Sequence, residues 1–164
     1  MSKGDNMRKQ ITIRKATPKD VPAVLELWKE LMDFHKKLNS IWTISACGHE
    51  KFAEYATQHI NSKNSCAFVA TNGKKPVGYC LIKISDYPPV LKKRQYGEVT
   101  NIAVTKKYRH YGIGQKLVKK VQKWCAKRGI NRIEAKYSTE NSIAAGFWTK
   151  AGFRPYLKST FLET

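Results

Sequence analysis

The residues best suited to chemistry in this 164-residue chain are Arg109-His110-Tyr111-Gly112-Ile113-Gly114. They lie where a strand-like apolar run, Val99 to Val104, gives way to helical spacing at Ile113, Leu117, Val121, Trp124 and Cys125. Glycines at 112 and 114 let the main chain turn sharply and come close to a ligand, and the first helical turn carries N–H groups with no intrahelical partner. With the positive end of the helix dipole and Arg109 beside it, such a turn is an anion site suited to a phosphate or pyrophosphate. The spacing is not a Walker loop, because no Lys-Ser or Lys-Thr pair follows the glycines, and it is not GxGxxG. ATP hydrolysis and dinucleotide reduction therefore lose their main support.

The charge around this segment points the same way. Residues 99–133 contain ten Lys or Arg and no Asp or Glu, within a chain of 31 basic and 12 acidic residues and a formal charge of +19. Such a field attracts phosphates, nucleic acids and other acidic partners without naming one. The lysines at 116, 119, 120, 123 and 127 fall on the side of the helix away from its apolar stripe, which is the placement of a solvated face.

The elements that must hold this turn follow from periodicity. Ile11 and Ile13 alternate with polar neighbours as a strand, and Thr17-Pro18-Lys19-Asp20 opens a helix whose stripe runs from Val21 through Trp28 to about Leu38. A weaker helix is expected over Phe52 to Ile60. Strands at Cys66–Thr71 and Val77–Ser85 flank an Asn72-Gly73 hairpin turn, and Tyr96–Thr105 reads as a central strand. A helix to Gly129, a strand over Ile130–Tyr137, a short helix over Ser142–Lys150 and a last strand over Arg154–Leu162 complete the order. The expectation is an α/β (α+β) fold: a mixed, mostly antiparallel sheet of six or seven strands flanked by about four helices. Residues 1–9 read as a frayed terminus and 10–164 as one domain.

Four cysteines without CxxC spacing argue against structural zinc and a disulfide framework, and Cys47-Gly48-His49 has no companion ligands, so no metal is expected. Neither a signal peptide nor an apolar run of membrane-spanning length is visible, which suggests a cytoplasmic protein.

Two segments together resemble the GNAT superfamily of acyl-CoA-dependent N-acetyltransferases. Val99-Thr100-Asn101-Ile102-Ala103-Val104 followed by Tyr108 to Gly114 resembles its acetyl-CoA segment, Arg/Gln-x-x-Gly-x-Gly/Ala. Asn141-Ser142-Ile143-Ala144-Ala145-Gly146-Phe147-Trp148 through Gly152-Phe153 resembles its second motif. The resemblance implies splayed central strands, near 99–104 and 132–137, that admit the pantetheine arm of acetyl-CoA beside the main chain of Ile102, Ala103 and Val104. It places the pyrophosphate on the amides of Arg109, His110, Tyr111, Gly112, Ile113 and Gly114, with Gln115 in the same turn. Asn141 would bond the pantetheine or cap its helix, and Lys150 would approach the adenosine phosphate. The least regular region, holding His35, Trp42, Cys47 and His49, is where the family builds its acceptor pocket.

An amine attacks a thioester only as the free base, and freeing a lysine-like ammonium at neutral pH costs roughly 4 to 5 kcal/mol. Something must take that proton. Glu98 is the best-placed carboxylate, because strand alternation puts Thr100, Ile102 and Val104 on its face, leading toward the thioester. A glutamate base in the histone-acetylating branch of the family supports it by resemblance. Where many members carry a tyrosine acid this chain has Trp148, so no acid is assigned: Tyr111, Tyr137 or Tyr156 substitutes, or the thiolate leaves and is protonated by solvent.

The leading expectation is acetyl transfer from acetyl-CoA to an amine on a small molecule or protein. The alternative is a CoA-binding or RNA-binding (polyanion) module on the same fold. An acidic or ribonucleoprotein partner and a homodimer are both compatible with the sequence. Positive charge disfavours polyamine acceptors at long range unless Asp33, Glu50, Glu54 or Asp86 builds a local acidic pocket.

Overall fold

The computed structural model of the chain describes residues 11–163, so the expected frayed start at 1–9 lies outside them. Five strands, β1 (Ile11–Lys15), β2 (Ser65–Asn72), β3 (Lys75–Asp86), β4 (Gln95–Val104) and β5 (Ile133–Ala135), form one sheet in sequence order. The first four are antiparallel, and β5 joins β4 in parallel. Four α-helices cover it: α1 (Val21–Leu38), α2 (Gly48–Asn61), α3 (Ile113–Ala126) and α4 (Ser142–Lys150).

Strand alternation divides the core into two layers. Ala67, Val69, Tyr79 and Leu81 turn toward α1 and α2, where they meet Val24, Leu27, Trp28, Phe52 and Ala56. Cys66, Phe68, Ala70, Cys80, Ile82 and Val99 turn toward α3 and α4, against Leu117, Val121, Trp124 and Trp148. A central strand covered on both faces has no polar side, which is why β2 and β3 read as nearly continuous apolar runs. The hairpin signalled by Asn72-Gly73 forms one residue later than expected: Asn72 still pairs with Lys75, the loop is Gly73-Lys74, and Gly73 takes a φ of 58° that costs glycine little.

Ahead of α1, the Asp20 carboxylate accepts from the Thr17 amide at 2.7 Å, from the Thr17 hydroxyl at 2.9 Å and from both Arg14 guanidinium nitrogens at 2.8 Å. Burial of Asp20 is thereby matched by four donors.

Three expectations need correction. The sheet has five strands among the described residues, not six or seven. No strand forms over Arg154–Leu162: Pro155 lacks a donor, and the neighbouring β5 is only three residues long instead of spanning Ile130–Tyr137. Side chains tie that segment down instead, with the Tyr156 hydroxyl donating to Glu134 at 2.6 Å and the Arg132 guanidinium lying over the Tyr156 ring. Finally, α2 begins at Gly48, four residues before the periodic stripe at Phe52.

Candidate active site

The site starts from a mismatch in the ladder. Leu81 pairs with Asn101 and Ile82 with Val99, which leaves Thr100 as an extra residue in β4, a β-bulge. The bulge reverses the alternation. Val99, Ile102 and Val104 all face the α3 and α4 layer, whereas Ala103 faces α1 and α2. Glu98, one residue before Val99, therefore lies on the Ala103 face, and its expected alignment with Ile102 and Val104 is incorrect. Counting by twos fails across an inserted residue.

β5 stays beside β4 only from Gly97/Ile133 to Val99/Ala135. Beyond that point β4 continues five residues with β3 on one side and no strand of the described residues on the other. Since the Thr105 amide donates to Val77 on the β3 side, alternation turns the main-chain groups of Ile102 and Val104 into this gap. The Val104 carbonyl accepts there from Arg109 Nε at 2.9 Å.

The turn at the head of α3 supplies the second half of the site. His110 and Gly112 take left-handed φ values of 66° and 74°. Among the described residues, the amides of residues 110–115 donate to no main-chain or side-chain acceptor, and the first helical bond runs from Lys116 to Gly112. A run of amides turned outward at a helix N-terminus, with left-handed residues inside it, is an anion cradle. Arg109 differs from expectation in part: its amide bonds to Lys106, and its guanidinium reaches Val104 and, at 3.6 Å, Glu30. It ties the turn to β4 and α1. Gly114 has a packing reason beside the expected one, because a Cβ there would stand 2.6 Å from the Phe147 ring. Its hydrogen lets α3 and α4 touch.

A groove of about 310 Å³ between α3 and α4 is lined by Gln115, Lys119, Gln122 and Lys150, which places Gln115 and Lys150 together beside the cradle. Asn141 caps α4, its Oδ1 accepting from the Ala144 amide at 2.9 Å. Trp148 is buried between Phe147 and Phe153.

A model of the acetyltransferase (GNAT) family matches residues 26–153. The chain belongs to that family. It is 28% identical over 151 residues to an uncharacterized N-acetyltransferase of Methanocaldococcus jannaschii, an alignment covering 90% of this chain and 62% of the relative. The chain thus spans less than two thirds of that relative's length. Among solved structures, the BH1408 protein of Bacillus halodurans superposes with a TM-score of 0.82 at 20% identity, over 93% of this chain and 99% of that one. An aminoglycoside 6'-N-acetyltransferase of Acinetobacter haemolyticus gives 0.74 at 14% identity, over 93% and 97%. An aminoglycoside N-acetyltransferase crystallised with CoA gives 0.72 at 19% identity, over 94% of each chain. These likenesses show the fold.

On the α1 and α2 face of this GNAT sheet the structure gathers polar groups that periodicity concealed. Glu98 Oε2 accepts from the Ser85 hydroxyl at 2.7 Å and lies 3.4 Å from Lys83 Nζ, while Oε1 lies 3.5 Å from Lys136 Nζ. Burial pushes the Glu98 pKa up, but the Ser85 hydrogen bond and the two lysines outweigh it and hold the carboxyl below its usual range. A carboxylate so well satisfied gives up little on staying ionised and is a weak proton acceptor. Further along the same face, the buried Tyr79 hydroxyl donates to Asn101 Oδ1 at 2.7 Å, and His59 Nε2 lies 3.4 Å from the Thr100 hydroxyl. His59 Nδ1 donates to the Tyr55 carbonyl, and burial keeps the ring neutral. His59 falls on the apolar stripe of α2, and a histidine on a buried stripe is the one sequence feature that marks this cluster.

Proposed function

We propose that residues 10–164 act as one cytoplasmic N-acetyltransferase domain that moves an acetyl group from acetyl-CoA to a primary amine of a small molecule or protein by direct attack. The observation that carries this reading is the gap beside Ile102 and Val104 opening next to the unpartnered amides of residues 110–115. A pantetheine arm is a long polar chain with amides of its own, and the exposed β4 edge offers it the ladder partner that β5 withdraws. The cradle would take the pyrophosphate, with Lys150 and Gln115 lining the groove beyond it. Asn141 and the Val104 amide would hold the arm where it enters the sheet.

Chemistry then requires a thioester carbonyl at the gap and an amine arriving from the Glu98 side. The Ile102 N–H, turned into the gap, would meet the charge that develops on the carbonyl oxygen, and a fixed donor there favours the transition state. Glu98, better suited to attract a cation than to remove its proton directly, would draw the ammonium in and act as base through water. The carbon–nitrogen bond forms, the carbon–sulfur bond breaks and the sulfur leaves as thiolate.

Calorimetric titration with CoA tests the reading. Binding in the wild type and its loss in Gly112→Val, where a branched side chain meets a φ of 74° and blocks backbone approach, are the expected results. No binding at millimolar CoA by folded protein would sink it.

A second reading rests on a different observation. An open groove of about 320 Å³ at the far end of α3 is lined, among the described residues, by Lys93, Arg94 and Arg128 without a carboxylate. Polyanion or RNA binding there would weaken steeply with salt through counterion release and would need no thioester turnover.

A further inference from the structure

The sheet-facing stripe of α1 runs Val24, Trp28, Met32 and, one turn on, His35. Met32 packs into the layer that contains Ala103 of β4. His35 continues past it and meets Asn141, the first residue of α4's cap, which follows β5. The imidazole therefore ties α1, which packs on β3 and β4, to the cap of the helix that follows β5, joining residues 106 positions apart.

Its protonation state is fixed by geometry. Asn141 Oδ1 is occupied by the Ala144 amide, so the Asn141 nitrogen must be the group that faces His35 Nε2, at 3.3 Å. An amide nitrogen only donates, so Nε2 carries a lone pair and the ring is the neutral Nδ1–H tautomer. Phe34 and Trp42 stand beside the ring, with centroids 5.8 and 5.6 Å away, and no carboxylate of the described residues pairs with it. The ring is half-buried and so still reachable. Burial lowers its proton affinity below that of an ordinary histidine, which keeps the lone pair available at neutral pH.

We propose that His35 is the proton shuttle of the transfer reaction, taking the amine's proton on Nε2 and delivering it to the leaving sulfur. This rests on the acetyltransferase reading above. The ammonium gives one proton to Nε2 as Asn141 releases its contact, and the freed amine bonds the acetyl carbon; the second proton, left on nitrogen in the adduct, passes to water on the Glu98 side. The carbon–sulfur pair leaves on sulfur, and the imidazolium protonates that thiolate. Transfer runs downhill, because a thiol with pKa about 8.5 holds the proton more tightly than an imidazole near 6.5. One group thus frees the amine and protonates the sulfur, and the Trp148 position needs no acid.

The test uses the full chain with acetyl-CoA and two probe amines: benzylamine, protonated at neutral pH, and hydroxylamine, which is not. His35→Gln should lower the benzylamine rate by roughly a hundredfold and the hydroxylamine rate by less than about threefold, with CoA affinity unchanged. His35→Gly should regain benzylamine turnover on adding imidazole, a rescue that a purely structural role would not allow. The wild-type benzylamine rate should also rise with pH through a group below the ordinary histidine value, and the variant should lose that limb. Wild-type rates in His35→Gln, equal losses with both probes, or no imidazole rescue would each overturn the shuttle. A wild type that binds CoA but acetylates neither probe overturns it too. Failure to bind CoA at all removes the acetyltransferase reading instead.

Discussion

Tyr79 donates its only hydroxyl proton to Asn101 Oδ1 at 2.7 Å, and this single bond decides which way the Asn101 amide points. Tyr79 is fully buried, so its hydroxyl has no water to turn to. The Asn101 nitrogen is consequently presented to the face from which we propose the amine arrives.

Tyr79→Phe should leave CoA affinity unchanged, cost about 1 kcal/mol of stability and raise KM for the amine, because the freed amide can rotate. Steady-state kinetics beside a urea titration separates the two effects. An unchanged KM would remove Asn101 from the acceptor site.

Gly114→Ala probes the contact of α3 with α4. Its methyl group would start 2.6 Å from Phe147, so the ring or one helix must shift. The expected cost is about 1–3 kcal/mol in urea unfolding, accompanied by weaker CoA binding. Pairing the change with Phe147→Leu should restore part of both. Loss of CoA affinity without loss of stability would mean that Gly114 serves the ligand and not the packing.

Glu98→Gln should act on stability in a pH-dependent way. The native carboxyl lies below its usual range, so its ionised form adds stability above the unfolded carboxylate pKa, near 4.3, and that gain disappears as pH falls through the native value. The gap between wild type and variant should be full at neutral pH and close in acid. Urea midpoints at several pH values measure it, and a constant gap would contradict the assigned partners.

Asp20 shows the same sign more strongly. The Arg14 hydrogen bonds lead in drawing its pKa down to about 2, against the opposing effect of burial and with help from Thr17. Its contribution is complete above pH 4 or so and is lost between there and pH 2. Asp20→Asn should cost about 2 kcal/mol at neutral pH, read by thermal or urea unfolding. Because Asp20 lies far along the sheet from the gap, on the β1 side, CoA affinity should not follow.

Much of this architecture is legible without coordinates, and the failures have physical causes. The stripe from Val24 to Trp28 and the glycines ahead of Ile113 are local patterns that sit in the structure where their spacing places them, and the Asn72-Gly73 signal marks its hairpin to within one residue. The Thr100 bulge is different. It is a mismatch of one residue between β3 and β4, set by both strands at once, and nothing within residues 95–104 announces it. Every inference about which side chains share a face with Glu98 depends on it. Arg154 to Leu162 has the composition of a strand, but a strand requires a neighbour to bond with, and β5 is too short to serve. The contact of His35 with Asn141 spans two distant segments, so neither one reveals it alone.

The meagre pairing of β5 with β4 has a mechanical consequence. Three residue pairs make a narrow seam between a four-stranded plate and the β5–α4 limb. Seams of that size breathe at lower free energy than the plate itself unfolds. A wedge-shaped guest that bonded both lips would then stiffen the molecule, converting its weakest join into its most guarded one.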